Sequence, residues 1–409
     1  RIVIQILRSF PALILALTAT FLFGLGTFAG TFAITLYTFA IMTKLTYEDA
    51  SAADVKAYQA LRAMGVSKYV AYIHGILPEI IPGFLTNALY LLETNVRHSS
   101  ILGYVGAGGI GLLLNEKISW LEYDKVGTIL LMLFLTVCVI EYFSRYLTAL
   151  IRKERTIKKE QARLLLLFLA ALFLICTFTL SLPDFSRTSP QTLRNMFAGF
   201  LQPDWSFFFS AEKDGLGYLL LETVCIAFIG TVIGAIVSAP LAFLNTKRFV
   251  PAPVSFLFNL VIMVIRSVPF LVYGLIFIRV SGPGAFTGVL TLAVCSIGLL
   301  TKRFTEALDA LDPRPYHALL AMGVRPLPAI CHSVLPQLKP VFTSIILYRF
   351  DVNIREASVL GLVGAGGIGA PLIFSMNQYA WEKAGAIMLG LILLVWFIDM
   401  VSEKIGAGN

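Results

Sequence analysis

The 409-residue chain is 57% hydrophobic and only 14% charged, and its mean hydropathy of +0.82 excludes an ordinary soluble domain. The net charge of +8 does not indicate nucleic acid, because Lys and Arg gather in short segments between apolar stretches, the pattern of cytoplasmic loops in a membrane protein. Five scattered cysteines, Cys138, Cys176, Cys225, Cys295 and Cys331, have no paired spacing and indicate neither a disulfide framework nor a metal site.

About ten apolar segments follow in chain order: roughly 2–24, 28–43, 79–101 and 125–144, then 163–182, 216–244, 253–279, 286–304, 336–360 and 384–402. Each approaches the length needed to cross the bilayer as a helix. The basic run Arg145, Arg152, Lys153, Arg155, Lys158, Lys159 and Arg163, the Lys247-Arg248 pair and the 302–325 loop are all predicted cytoplasmic, and one alternating path satisfies all three. The segment 183–215, with Trp205 and Phe207 to Phe209, reads as an amphipathic cap on the outer interface. The chain starts with Arg1, and no signal peptide with a cleavage site is visible.

Self-comparison reveals a duplication at a constant shift of 258 residues, which carries Ala63-Met64-Gly65-Val66 onto Ala321-Met322-Gly323-Val324 and VGAGGIG at 105–111 onto 363–369. Across 43–111 and 301–369, 32 of 69 positions are identical without a gap. Arg8-Ser9-Phe10-Pro11 pairs with Arg266-Ser267-Val268-Pro269. Spans 164–182 and 217–244 find no partner, so the first copy is expected to lack its N-terminal spans. The chain therefore divides into a first unit 1–150, a basic cytoplasmic linker 151–163 and a second unit 164–409. Both units end on the cytoplasmic side, which predicts parallel repeats about a pseudo-two-fold axis.

The long polar segments 44–78 and 302–336 are predicted helical and cytoplasmic. Each has a Gly for a sharp turn and, thirteen residues on, a Pro that marks entry into the next span: Gly65 with Pro78, and Gly323 with Pro336. Further on, Glu93, Asn95 and Arg97 match Asp351, Asn353 and Arg355 within apolar spans. Ionisable groups at membrane depth are costly and mark internal ion pairs, a solute pathway, or both. Acid and Arg lie four residues apart on one helix face, so they can pair internally. An oxyanion on the two-fold axis would take bidentate contacts from both arginines. The VGAGGIG runs, with Gly106, Gly108, Gly109 and Gly364, Gly366, Gly367, follow no strand and precede no Lys-Ser/Thr, so close helix packing or a flexible gate turn fits better than a nucleotide loop.

The polar segments resemble the coupling loop of binding-protein-dependent ABC permeases, E-A-A-x-x-x-G followed by I-x-L-P. Here the motif stands as Gln59-Ala60-Leu61-x-x-x-Gly65 with Leu77-Pro78, and His317-Ala318-Leu319-x-x-x-Gly323 with Leu335-Pro336. The acidic first position is Gln or His, the third is Leu, and the Ile position is Gly75 or Ser333, departures that bear on which ATPase docks. Together with Arg-Ser-x-Pro, the glycines at 26, 30, 284 and 288, and N-[VI]-R before L-G-x-V-G-A-G-G-I-G, the chain is similar to the phosphonate-importer permeases over nearly all of both copies. That resemblance implies an all-α membrane protein of two tandem type I units. It also implies an ABC ATPase dimer docking at Gln59, Ala60, Gly65, Pro78, His317, Ala318, Gly323 and Pro336, and an extracytoplasmic phosphonate-binding protein. ATP and Mg would belong to the ATPase, with no cofactor on this chain, no catalytic residues and no nucleic-acid partner. The alternatives are a permease for another solute such as methionine and an ion-driven secondary transporter.

Overall fold

The computed structural model describes residues 11–151, 159–180, 190–210, 212 and 215–407, and every regular element among them is helical. Arg8, the core of the basic linker and part of the 183–215 cap lie outside the described residues. The first unit comprises α1 (Ala12–Phe23), α2 (Thr27–Ala52), α3 (Lys56–Ala63), α4 (Lys68–Gly75), α5 (Leu77–Leu102), α6 (Ile110–Ser119), α7 (Tyr123–Ile151) and α8 (Lys159–Phe178). The second comprises α9 (Pro190–Leu201), α10 (Trp205–Phe208), α11 (Leu216–Asn245), α12 (Ala252–Ser267), α13 (Phe270–Ser281), α14 (Ala285–Asp309), α15 (Arg314–Ala321), α16 (Pro326–Ala329), α17 (Leu335–Leu360), α18 (Gly369–Asn377) and α19 (Trp381–Ala407).

Among the described residues, six helices are long and apolar enough to cross a membrane, eight if each bent pair counts as one span. The bent pairs are α4 with α5, at 52°, and α12 with α13, at 84°. Two shorter apolar helices, Ala12–Phe23 and Leu167–Phe178, complete the ten segments marked in the sequence. As described, those two fall short of the roughly 20 residues that a perpendicular crossing needs.

The compact units are 1–190 and 191–409, so the apolar segment beginning at 163 groups with the first unit rather than the second. The reason is local: Phe168 of α8 meets Phe143 of α7 edge-on, at 6.5 Å between ring centroids.

The duplication holds at the level of backbone torsions. Pro11 and Pro269 start α1 and α13 with nearly identical angles, φ −59°, ψ 145° and φ −61°, ψ 144°. The two helices end at Gly24 and Gly282, with φ 82° and 81°, in a left-handed region where a side chain is strained. The N–H groups of Gly26 and Gly284 then donate to the carbonyls of Gly106 and Gly364, at 3.0 and 2.9 Å. Each glycine loop is thereby tied to the start of α2 or α14.

Small residues set the helix packing, as lipid-solvated helices require. On α11, Gly230, Gly234 and Ser238 form one stripe against α14. A Cβ on Gly230 would stand 2.8 Å from that of Leu292, and one on Gly234 2.5 Å from that of Ser296, while the Ser238 hydroxyl donates to the Ile297 carbonyl at 3.2 Å. The opposite face of α11 exposes Phe228, Ile229, Val232, Ile233 and Ile236, the composition expected to face acyl chains.

The described part of the cap docks on the outer start of α19. Gly199 approaches so closely that a Cβ there would lie 2.3 Å from the Cβ of Trp381, and Phe200 meets that indole edge-on. Asp204 begins α10 by accepting from the backbone N–H groups of Ser206 and Phe207 at 3.0 and 3.2 Å. Its hydrogen bond from the Ser206 side chain holds its carboxyl below the usual range.

Candidate functional site

Each predicted coupling segment is a short helix closed by a glycine turn. In the first unit the Gly65 N–H donates to Arg62 O at 3.1 Å and the Val66 N–H to Leu61 O at 3.2 Å; in the second, Gly323 donates to Leu320 O at 3.0 Å and Val324 to Leu319 O at 3.1 Å. This crossed pair is the Schellman closure, which places its glycine in the left-handed region, and φ is 82° at Gly65 and 84° at Gly323. Ala60 and Ala318 accept the cap N–H of Met64 and Met322, both at 3.1 Å. Both methionines project outward, 70% and 77% exposed.

The Asp before each short helix caps it, with Lys56 N–H donating to Asp54 at 2.9 Å and Arg314 N–H to Asp312 at 3.0 Å. Hydrogen bonds from Arg314 hold the Asp312 carboxyl below the usual range. Gln59 and His317 lie in the middle of these helices, and Pro78 and Pro336 occupy the first turn of α5 and α17.

In the predicted pathway motif, Arg97 pairs with Glu93 and Arg355 with Asp351, each within one turn of its own helix. All four side chains are mostly buried yet keep some access, 19% for Arg97 and 16% for Arg355. The asparagines face elsewhere. Asn95 donates from Nδ2 to Thr38 Oγ1 on α2 at 2.8 Å, and Asn353 donates to the matching Ser296 Oγ on α14 at 2.9 Å and to Thr231 Oγ1 on α11 at 2.6 Å. Asn353 has no exposed surface, so it ties three helices of its unit together rather than lining open space.

This contrast carries a prediction. Asn353→Ala removes two fully buried hydrogen bonds and is expected to destabilise its unit by about 1–3 kcal/mol, against about 0.5–1.5 kcal/mol for the one bond lost in Asn95→Ala, a difference that thermal unfolding in detergent measures.

The glycine loops take left-handed backbone that a side chain would strain. Gly106, Gly108 and Gly109 have φ of 80°, 78° and 83°, and Gly364, Gly366 and Gly367 have 93°, 82° and 76°. Several also lack room for a side chain. A Cβ on Gly108 would meet Thr27 at 2.9 Å, and one on Gly366 would meet the Ala285 backbone at 2.8 Å. In the second unit two of the loop's N–H groups are held by α11, Gly367 donating to Glu222 Oε2 at 3.2 Å and Ile368 to Thr223 Oγ1 at 3.0 Å.

Sequence reasoning missed a second ionic pair on α17. Arg349 donates to Glu356 at 2.8 Å and from Nε to Ser296 at 3.1 Å. The signal was present, since both residues are ionisable and lie inside a predicted span.

Helices throughout the described residues, repeated apolar spans, a glycine-closed turn on each polar segment and Arg–carboxylate pairs within apolar helices are the features of a multi-pass transport permease. The profile of the binding-protein-dependent transport system inner membrane component matches residues 1–244 and again 230–405, and the chain belongs to that family. It is a permease of an ATP-driven import system, set in the inner membrane, and works with an ATPase and a substrate-binding protein.

Among its relatives, the phosphate-import permease protein PhnE of Mycolicibacterium smegmatis is 28% identical over 98% of this chain and 76% of its own length. The phosphite transport system permease protein PtxC of Stutzerimonas stutzeri is 36% identical over 45% of this chain and 67% of its own. In a solved structure, a chain of the MetNI methionine ABC transporter in an inward-facing form aligns at 19% identity over 47% of this chain and 96% of that one, with a TM-score of 0.43.

Proposed function

We propose that this permease imports a phosphorus oxyanion, phosphonate or its relatives phosphite and phosphate, delivered by an extracytoplasmic binding protein specific for that class. The observation that carries this reading is the repeated Arg four residues after an acid, one pair in each unit, partly accessible within apolar helices. A guanidinium offers parallel donors to the oxygens of a phosphonate and stays charged at any working pH. The neighbouring carboxylate compensates the Arg while no solute is present. Relatives named for phosphate and phosphite transport support the same solute class.

The glycine-closed turns at Gly65 and Gly323 are the docking points of the ATPase dimer. Their exposed Met64 and Met322 side chains supply adaptable apolar contact, and Ala60, Ala318, Gln59 and His317 lie on the same short helices. ATP and Mg2+ belong to that ATPase, whose cycle drives alternating access.

The test is ATPase stimulation in proteoliposomes holding the permease and its ATPase, with binding protein loaded in turn with methylphosphonate, phosphite, phosphate or methionine. Stimulation by a phosphorus oxyanion is expected. Stimulation by methionine alone keeps the importer and overturns the solute.

A further inference from the structure

The pathway helices α5 and α17 share their Asn and Arg, yet the repeat diverges in kind at two positions beside the Asn. Leu91 and His98 flank Asn95, whereas Arg349 and Glu356 flank Asn353. Positions i, i+4 and i+7 share one face of a helix, so in the second unit this face carries a guanidinium, an amide and a carboxylate in line.

The Arg349 and Glu356 side chains are only 5% and 19% exposed. Arg349 spans two turns to bond both carboxylate oxygens, at 2.8 and 3.4 Å, while its Nε holds Ser296 of α14 at 3.1 Å. Ser296 also accepts from Asn353. One hydroxyl on α14 thus receives two donors from α17. In the first unit Leu91 is buried, His98 meets the ring of Tyr37 edge-on, and α5 is tied to α2 by neutral Asn95 on Thr38 and, two turns earlier, by Asn87 on Asp49, both at 2.8 Å.

A second difference lies where each pathway helix begins. In the first unit α4 and α5 meet at a 52° bend beside Gly75, where a Cβ would stand 2.8 Å from the Tyr58 backbone nitrogen. In the second, Ser333 replaces that glycine and donates to Ala329 O at 2.6 Å, and helix runs unbroken from Ile330 to Val363 through a π turn at Ile330–Val334. Phe304 then stacks on Phe342 of α17 at 3.9 Å, where the first unit has Thr46 and Phe84 at the matching positions.

We infer that Arg349 and Glu356 are positioning residues: through Ser296 and Asn353 they fix α17, and with it Arg355, so that the second unit is the rigid half of the transport cycle. The first unit, hinged at its bend and with Leu91 and His98 where the second has its Arg–Glu pair, is the half that moves. Sliding α17 on α14 would strip a buried guanidinium of a partner, and a buried charge that loses one is costly. The inference rests on the reading of the chain as an alternating-access permease, not on which solute it carries.

The test uses the complete permease with its ATPase and binding protein in proteoliposomes, followed by amide hydrogen exchange. Exchange in 349–360 is expected to be at least about tenfold slower than in the equivalent 91–102. Arg349→Leu with Glu356→His, which gives the second unit the first unit's residues, removes that contrast and raises the ATP hydrolysed per solute moved about threefold or more, with the KM for loaded binding protein unchanged. A merely structural loss would lower the amount of folded protein and leave that ratio as it was. The reciprocal Leu91→Arg with His98→Glu slows exchange in the first unit, and it decides the matter if the second-unit variant does not fold.

Equal exchange in the two wild-type helices, or variants that shift neither exchange nor the ATP ratio, would overturn the inference. Exchange needs no solute, so failure of the oxyanion assignment shows separately, as absent stimulation with the contrast intact.

Discussion

Alanine at position 369 is expected to leave no folded second unit. A Cβ there would lie 2.2 Å from the carbonyl oxygen of Ser358 and 2.5 Å from the Leu362 nitrogen. Both are backbone atoms at the junction of α17 with the glycine loop, and neither can turn aside as a side-chain tip would. Ordinary overpacking costs about 1–3 kcal/mol because neighbours yield; here the loop or the helix end must move as a body, and the cost approaches the roughly 5–15 kcal/mol that holds a domain together.

Gly111→Ala meets the same obstacle in the first unit, 2.0 Å from the Ser100 oxygen. The control is Gly323→Ala, also in the left-handed region but with nothing within 4 Å of the added carbon, which costs about 1–2 kcal/mol of backbone strain. Size-exclusion profiles and thermal unfolding in detergent separate the two. A Gly369→Ala protein that purifies as a single species with a midpoint within about 2 °C of wild type would show that the close contact does not constrain the fold.

The features legible in the sequence are those that repeat or obey a local rule. The 258-residue shift brings matching glycines into register, and a glycine that ends a short helix announces its turn, so Gly65 and Gly323 fall where expected. The i, i+4 spacing of acid and Arg likewise announces the pairs Glu93 with Arg97 and Asp351 with Arg355.

Where the physics is tertiary, the sequence is silent. Asn353 reads like any polar residue in a span, and only the packing of α11 and α14 shows that it is an inward tie. Arg349 and Glu356 sit seven residues apart, a spacing that a long guanidinium can bridge but that no one-turn rule marks. The bend beside Gly75 and its absence beside Ser333 follow from how closely α3 approaches α4, which composition does not reveal. That the glycine loops need glycine for both their positive φ values and their blocked Cβ positions also shows only in the packing.

The largest functional effect is expected at Arg97 and Arg355, and the experiment must separate charge from folding. Arg355→Ala alone leaves Asp351 buried without its helix partner, a loss that by itself costs about 3–5 kcal/mol in a buried pair, so a silent transporter would say nothing about solute. Neutralising both members of each pair removes that ambiguity. Glu93→Gln with Arg97→Gln, and Asp351→Asn with Arg355→Gln, remove both charges of each pair together and leave amides able to hydrogen-bond, so no unpaired buried charge remains and folding and basal ATP hydrolysis are expected to persist. What disappears is the positive charge offered to the solute. With each charge-assisted contact worth about 1.5–3 kcal/mol, losing both lowers oxyanion uptake at limiting loaded binding protein by about 100-fold or more. Either pair alone should give an intermediate loss, because each arginine would contribute its own contact. Uptake measured with labelled phosphite or methylphosphonate decides the point: a fully neutralised permease that folds, hydrolyses ATP and still imports at the wild-type rate would reduce these arginines to partners of their acids and nothing more.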